Sequence, residues 1–279
     1  MKFLNANRDQ EDLEILGKIC FDTLCLNLDI KQKSEEFCGI YIDGRNQEFN
    51  FIENFAAAAS FKIHSEYDYP LLVLSPNSNN ILNGECKKYS VNHIQIPELN
   101  SHEKYSEFLI KHVWNYIPKH FPRLLFIQSD GFLIKKGWER FVLDNKLDYV
   151  GAAWCHEPGI DHYSCYHWLA SGFPRIRCGN GGFSYRTRFC CEELSNSYRL
   201  IQLREANRKD NRSPPEDLFY SHLINGTKIG RVATVKECMQ FSLDPITLKE
   251  YENKTTMGFH YPRKINEFQQ YRDYYNSLK

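Results

Sequence analysis

The chain has 279 residues, 42% of them hydrophobic, enough to bury roughly 75% of its unfolded surface in one large α/β domain or two small ones. Lys plus Arg equals Asp plus Glu at 35 each, which excludes a global field for nucleic acid or an acidic membrane surface and leaves any anionic ligand to be held locally. The 10 cysteines come without an apolar leader at Met1-Lys-Phe-Leu-Asn-Ala and without a run near the ~18 apolar residues of a spanning helix, so reduced thiols in a cytoplasmic protein are expected rather than a secreted disulfide scaffold.

In chain order, Leu13, Leu16, Ile19, Cys20 and Leu24 fall near helical spacing and predict an amphipathic helix over 9–28, inside an N-terminal extension of residues 1–35. Cys38-Gly-Ile-Tyr-Ile-Asp43 predicts the first strand, followed by Gly44-Arg45-Asn46 and a helix over about 48–63. A strand, a glycine turn and a helix start together bind phosphates or nucleotides, which makes Asp43, Gly44 and Arg45 nucleotide-binding candidates. The stretch lacks G-x-G-x-x-G and the P-loop lysine, so a plain strand-to-helix turn explains it equally.

Pro70-Leu-Leu-Val-Leu74 and His93-Ile-Gln-Ile96 predict two further strands, and the Asn, Ser and Gly content of 77–85 predicts a loop between them. Asn100 as N-cap, with Glu103 three residues on, opens a helix whose face carries Tyr105, Phe108, Leu109, Val113, Tyr116 and Ile117. That helix leads to Leu124-Leu-Phe-Ile-Gln-Ser-Asp-Gly131, an apolar run ending on Asp130. A run of this kind reads as a strand buried on both faces of a parallel sheet, and its carboxyl end is where α/β sheets bind ligands. Alternating strands and helices imply right-handed crossovers and a nucleotide-binding half over 36–135.

In the second half, 136–279, Trp138 to Leu143 is a short apolar stretch and Leu147-Asp-Tyr-Val-Gly-Ala-Ala-Trp154 predicts a strand. A long segment follows to residue 178, and length of this kind is usually functional. Cys155, His156, His162, Cys165, His167 and Cys178 make it dense in metal-capable side chains, but it has no Cys-x-x-Cys knuckle, which favours an ordinary aromatic-rich loop over a structural zinc site. Trp154, Tyr163, Tyr166 and Trp168 suit stacking on sugar faces or plain packing.

Three polar stretches carry the remaining chemistry. Gly179-Asn-Gly-Gly-Phe-Ser184 lets backbone come within contact distance of a ligand, though alone it reads as a glycine-rich turn. Ser213-Pro-Pro-Glu-Asp-Leu218 puts adjacent carboxylates in the first turn of a helix starting near Pro215, which capping alone also explains. Thr256-Met-Gly-Phe-His260 places a histidine after a glycine-aromatic pair.

In this order the elements resemble a family of glycosyltransferase-like domains long filed as a domain of unknown function. More distantly they are similar to the Fringe-type β-1,3-glycosyltransferases, which share a metal Asp, Gly-Gly, Glu-Asp and Phe-His in succession. The resemblance covers 124–260 by motif and 36–123 by pattern only. It implies a single GT-A-like α/β domain over 36–279, with a mainly parallel central sheet flanked by helices. It further implies a nucleotide-sugar donor, a glycan or lipid-linked acceptor, and a place in polysaccharide biosynthesis.

The Asp-x-Asp motif of such enzymes matches Asp130 at its last position and has Gln128 at its first. By the resemblance, Asp130, Ser129, Gln128 and His260 bind the donor and a divalent metal, Mn or Mg; Asp217 is the base; and Trp154, Asn180, Gly181, Gly182 and Glu216 form the sugar and acceptor pocket. A cation would neutralise the charge that grows on the leaving diphosphate, and a His ligand tilts the choice towards Mn²⁺. A carboxylate opposite the leaving group would take the acceptor proton and invert the anomeric centre. The missing first carboxylate leaves two alternatives open. One is a metal-independent transferase in which Arg45, Arg186 or His260 steadies the diphosphate; the other is an inactive glycan or nucleotide-sugar-binding module.

Overall fold

The computed structural model describes residues 33–45, 60–61, 64–88, 91–128, 131–133, 135–153, 178–204, 213–243 and 256–260. The strands are β1 (Phe37–Ile42), β2 (Leu71–Ser75), β3 (Asn92–Gln95), β4 (Arg123–Ile127), β5 (Gly131–Leu133), β6 (Tyr149–Ala153), β7 (Cys178–Thr187), β8 (Ser242–Leu243) and β9 (Gly258–His260). The helices are α1 (Asn80–Lys88), α2 (His102–Lys111), α3 (Trp138–Asp144), α4 (Arg188–Arg204), α5 (Glu216–Thr227) and α6 (Val235–Phe241). The predicted extension 1–35 is described only from Lys33 on, and of the predicted helix 48–63 only residues 60 and 61 are described, both helical.

Six strands form the central sheet in the order β3-β2-β1-β4-β7-β6. The first four are parallel, as the alternation of strands and helices requires. β7 then runs antiparallel to both β4 and β6. A second sheet, β5-β9-β8, stands beside the end of β4. Leu124, Leu125, Phe126 and Ile127 are all buried because side-chain layers cover both faces of β4. On one face Phe126 meets Trp114 edge-on at 6.2 Å, and Trp114 in turn meets Tyr220 edge-on. Odd-numbered positions of β7 meet the other layer, where Tyr185 lies against Trp138 and Phe183 stacks on Phe241 at 5.3 Å.

Three local expectations are corrected, and one stretch that the sequence left without an element is assigned. The predicted loop 77–85 contains the start of α1: Asn79 Oδ1 caps it by accepting from the Leu82 N–H at 3.2 Å, and burial of Leu82 and Cys86 outweighs the weak helix propensity of Asn and Gly. The cap of α2 is Ser101, whose hydroxyl accepts from the Lys104 N–H, rather than Asn100, and after Lys111 the chain tightens into a 3₁₀ turn at Val113–Asn115. The apolar stretch from Trp138 is a helix, entered through Gly137 at φ 102°. The glycine-rich segment at 179–184 belongs to strand β7, not to a turn.

Candidate active site

The carboxyl end of β4 meets β7 and the small sheet at one point. The Gln128 N–H donates to Gly182 O at 2.8 Å, extending the β4–β7 ladder past Ile127, and the Gly131 N–H turns back to Gln128 O at 3.0 Å. Between those two, Ser129 and Asp130 lie outside the described residues. β5 begins at Gly131, which pairs directly with His260 of β9. The antiparallel register thus returns the chain to the strand end that the sequence marks with Asp130.

His260 and Gln128 converge on Gly182. A side chain at 182 would overlap Nε2 and Cδ2 of the His260 ring, and its Cβ would stand 2.6 Å from Gln128 Oε1. The Gly182 N–H donates to Asn180 Oδ1 at 3.1 Å. Glycine is therefore required here by close approach rather than by a turn.

A bulge builds this corner. β6 pairs Gly151 with Ser184 and then Ala152 with Asn180, so Gly181, Gly182 and Phe183 on β7 have no counterpart on β6. Bulges re-aim side chains and are frequent beside active sites. A Cβ on Gly151 would run into Asn180 O, and Gly179 takes φ 142°, so glycine is needed at both margins of the irregularity.

The other wall is the first turn of α5. Its backbone starts at Pro215, whose carbonyl accepts from the Phe219 N–H at 3.0 Å. Asp217 is half-buried; its Oδ1 accepts from the Leu218 N–H at 2.7 Å, and its carboxylate also accepts from the Gly181 backbone. Burial, followed by the neighbouring Glu216 charge, pushes the Asp217 carboxyl up to about 7, against the opposing pull of these N–H groups and Arg186. A carboxyl with that affinity exchanges protons near neutrality.

Glu216, expected in the pocket wall, has both oxygens engaged inside the protein. Oε2 accepts from Ser106 Oγ at 3.0 Å, and Oε1 faces Arg186 Nη2 at 3.6 Å while filling the space beside Gly181. Arg186 is fully buried, with its guanidinium carbon 4.4 Å from the Phe126 ring centroid. Access to a donor diphosphate, one of its expected roles, conflicts with that position. Sequence reasoning missed this pair, although strand parity places Arg186 in step with Ser184 and on an inward face.

At the end of β1, Asp43 and Arg45 grip each other in a fork, Nε to Oδ1 at 2.7 Å and Nη2 to Oδ2 at 2.9 Å. Gly44 is packed on Leu99, whose N–H donates to Gly44 O at 2.6 Å, so this glycine is explained by packing. β1 and β4 are neighbours whose last pair is Tyr41 with Ile127, which puts Asp43 and Arg45 on the same sheet edge as Gln128. Of the expected site residues, Gln128, Asn180, Gly181, Gly182, Glu216, Asp217 and His260 come together, and Trp154 lies outside the described residues. So does most of the Cys/His-rich segment; its last residue, Cys178, is buried at the start of β7. Among the described residues no group of three or more His, Cys, Asp or Glu is placed to hold a metal, and no helix is long and apolar enough to cross a membrane.

No curated protein matches the chain. Among solved structures it is similar to core-mannan synthase A from Aspergillus fumigatus in its Mn/GDP form, with 10% identity, a TM-score of 0.51, and coverage of 76% of this chain and 77% of that one. It is also similar to apo mouse xyloside xylosyltransferase 1, with 11% identity, a TM-score of 0.50, and coverage of 81% of this chain and 96% of that one. At such identities the likeness is one of fold: the architecture is that of GT-A-like glycosyltransferases, without a specific tie to the Fringe type. The description of a family of proteins of unknown function, DUF5672, matches residues 88–260, which hold β4, the β7 bulge, the α5 first turn and His260, and the chain belongs to that family.

Proposed function

We propose that the protein moves a sugar from a nucleotide-sugar donor to a hydroxyl of a glycan or lipid-linked acceptor, with inversion. The observation that carries this reading is the bulge at Gly181 and Gly182, which sets a carboxyl titrating near neutrality on one side and the His260–Gln128 pair on the other, at the carboxyl edge of a GT-A-like sheet. In the reaction the acceptor oxygen attacks the anomeric carbon, the bond to the diphosphate oxygen breaks, and the acceptor proton passes to Asp217. In this reading the Asp43–Arg45 fork, on the same edge, meets the nucleoside end of the donor.

The donor set suits a divalent ion. His260 Nε2 and Gln128 Oε1 meet at one point, an imidazole nitrogen with a neutral oxygen, and Asp130, two residues after Gln128 in sequence, is the carboxylate that this reading adds to them. This mixture favours Mn²⁺ over Mg²⁺. When bound, such an ion neutralises charge on the leaving diphosphate. The similar mannan synthase, solved with manganese and GDP, supports a nucleoside diphosphate as the bound half of the donor.

The test compares wild type with Asp217→Asn. Thermal shift against UDP and GDP, with and without Mn²⁺, measures binding; transfer to sugar acceptors and donor hydrolysis measure turnover. Asp217→Asn is expected to bind as wild type and to lose about 10²- to 10⁴-fold in rate. Transfer at the wild-type rate removes Asp217 from the chemistry. Nucleotide binding by wild type without turnover of any donor favours a binding module instead.

A further inference from the structure

We propose that Glu216 is a positioning residue for Asp217 and not a substrate ligand: with Arg186 and Ser106 it forms a buried clasp that fixes the first turn of α5 against the β7 bulge. The proposal rests on Asp217 being the base. Glu216 has no oxygen left for a sugar, since Ser106 Oγ holds one at 3.0 Å and the other lies between Arg186 and Gly181. At 3% exposure its carboxylate is inaccessible to an acceptor.

The clasp joins three elements through one carboxylate: α2 by Ser106, β7 by Arg186 and α5 by Glu216. Arg186 has its own reason to require a counter-charge. Its guanidinium carbon lies 4.4 Å from the Phe126 ring centroid, 5.3 Å from Tyr220 and 5.6 Å from Tyr149, its Nε donates to Ser184 Oγ at 3.0 Å, and its buried Nη1 has no hydrogen-bond partner among the described residues. A cation enclosed in this way costs several kcal/mol unless paired, and Glu216 is the carboxylate that pairs with it. Successive helical residues point about 100° apart. With Glu216 fixed inward, Asp217 is directed to the Gly181 backbone on the open side of the bulge.

The same arrangement sets the proton affinity of Asp217. The groups that face it are Glu216 on its own helix and Arg186 from β7, with Tyr149 of β6 close by; Cys191 of α4 lies against Arg186, and Ser106 of α2 is uncharged. Glu216 favours the protonated carboxyl and Arg186 the ionised one, Glu216 being the stronger. Removing either charge should therefore move Asp217 in opposite directions. A clasp with only a structural role changes stability and leaves this titration where it was.

The experiment is a ¹³C NMR titration of unliganded protein labelled at its aspartate carboxyl carbons, with the Asp217 signal identified by its loss in Asp217→Asn. Glu216→Gln is expected to lower the midpoint by on the order of one unit, and Arg186→Met to raise it. The double variant Glu216→Gln/Arg186→Met leaves no buried charge unpaired, and is expected to fold and to titrate below wild type. An unchanged midpoint in folded Glu216→Gln, or in the double variant if the single one does not fold, overturns the clasp. Because neither donor nor acceptor is present, that result leaves the base assignment standing; transfer surviving in Asp217→Asn does the reverse.

Discussion

The Nε2 edge of the His260 ring occupies the volume that a side chain at residue 182 would fill. Its neighbour Gly181 is closed off differently: a Cβ there would overlap Glu216 Oε1 and stand 3.0 Å from Arg186 Nη2. Two adjacent glycines thus guard two different things, and their substitutions should separate. Gly182→Ala pushes on the buried His260 ring and on the half-buried Gln128 at the edge of the site. It is expected to cost about 1 kcal/mol of stability and at least tenfold in turnover. Gly181→Ala forces apart the buried Arg186–Glu216 pair and should cost about 3 kcal/mol. Urea denaturation beside a turnover assay checks this, and the opposite ranking would show that Gly182 is the structural member.

A double-mutant cycle tests the buried pair as a unit. Glu216→Leu leaves the Arg186 cation uncompensated among Phe126, Tyr149 and Tyr220, and the expected loss is about 3–5 kcal/mol. Arg186→Met leaves the Glu216 carboxylate without its counter-charge, held by the Ser106 hydroxyl, and should lose a similar amount. The double variant removes both charges and is expected to recover at least half of the summed loss. Additive losses in urea denaturation would mean that the 3.6 Å approach carries no coupling.

How much of this could be read from residues alone depends on how far apart the partners lie. β4 was legible because its apolar run and terminal Gln-Ser-Asp-Gly are contiguous, and the parallel arrangement of β1 to β4 follows from the alternation of elements. The reversal at β7 has no local signal, and its glycines looked like a turn because glycine content speaks for turns. They lie in a strand because Glu216 and His260, brought in by tertiary packing, take the places of the missing side chains at 181 and 182. The carboxylate pair at 216 and 217 was visible as a motif, yet which one faces inward depends on Arg186 and Ser106. The start of α1 was hidden for a related reason: Asn79 looks like a loop residue until it is seen capping Leu82.

His260 can be tested through binding alone. His260→Ala removes the buried imidazole that meets Gln128 at Gly182. Mn²⁺ with UDP or GDP at 100 times the dissociation constant should stabilise wild type by about 2.7 kcal/mol, and much of that gain should be absent in the variant. Chelator should abolish the wild-type gain and leave the variant unaffected. Equal metal-dependent stabilisation of the two proteins would take His260 out of the donor site.

The last prediction concerns pH, and it sets stability against activity. Asp217 holds its proton up to about 7 in the folded protein, compared with 3.8 for the free side chain, because burial and then Glu216 disfavour the charged form. The folded state therefore binds the proton more tightly than the unfolded state between those values. Stability from this group is fully present below the lower value and is lost as pH rises through the upper one. Asp217→Asn cannot ionise, so it should match wild type near pH 4 and become progressively more stable than it up to about pH 7, with a constant advantage of more than about 1 kcal/mol beyond. Denaturation curves at pH 4, 5.5, 7 and 8.5 measure the difference. Transfer should run the other way in wild type, rising through the same window as the carboxylate forms, since only the ionised group accepts the acceptor proton. A stability gap that does not vary with pH would mean that Asp217 titrates in the ordinary carboxylate range, and the group would then be too weak a base for the role given to it. A gap that opens as described, without a matching rise in rate, would keep the raised proton affinity and place the base elsewhere.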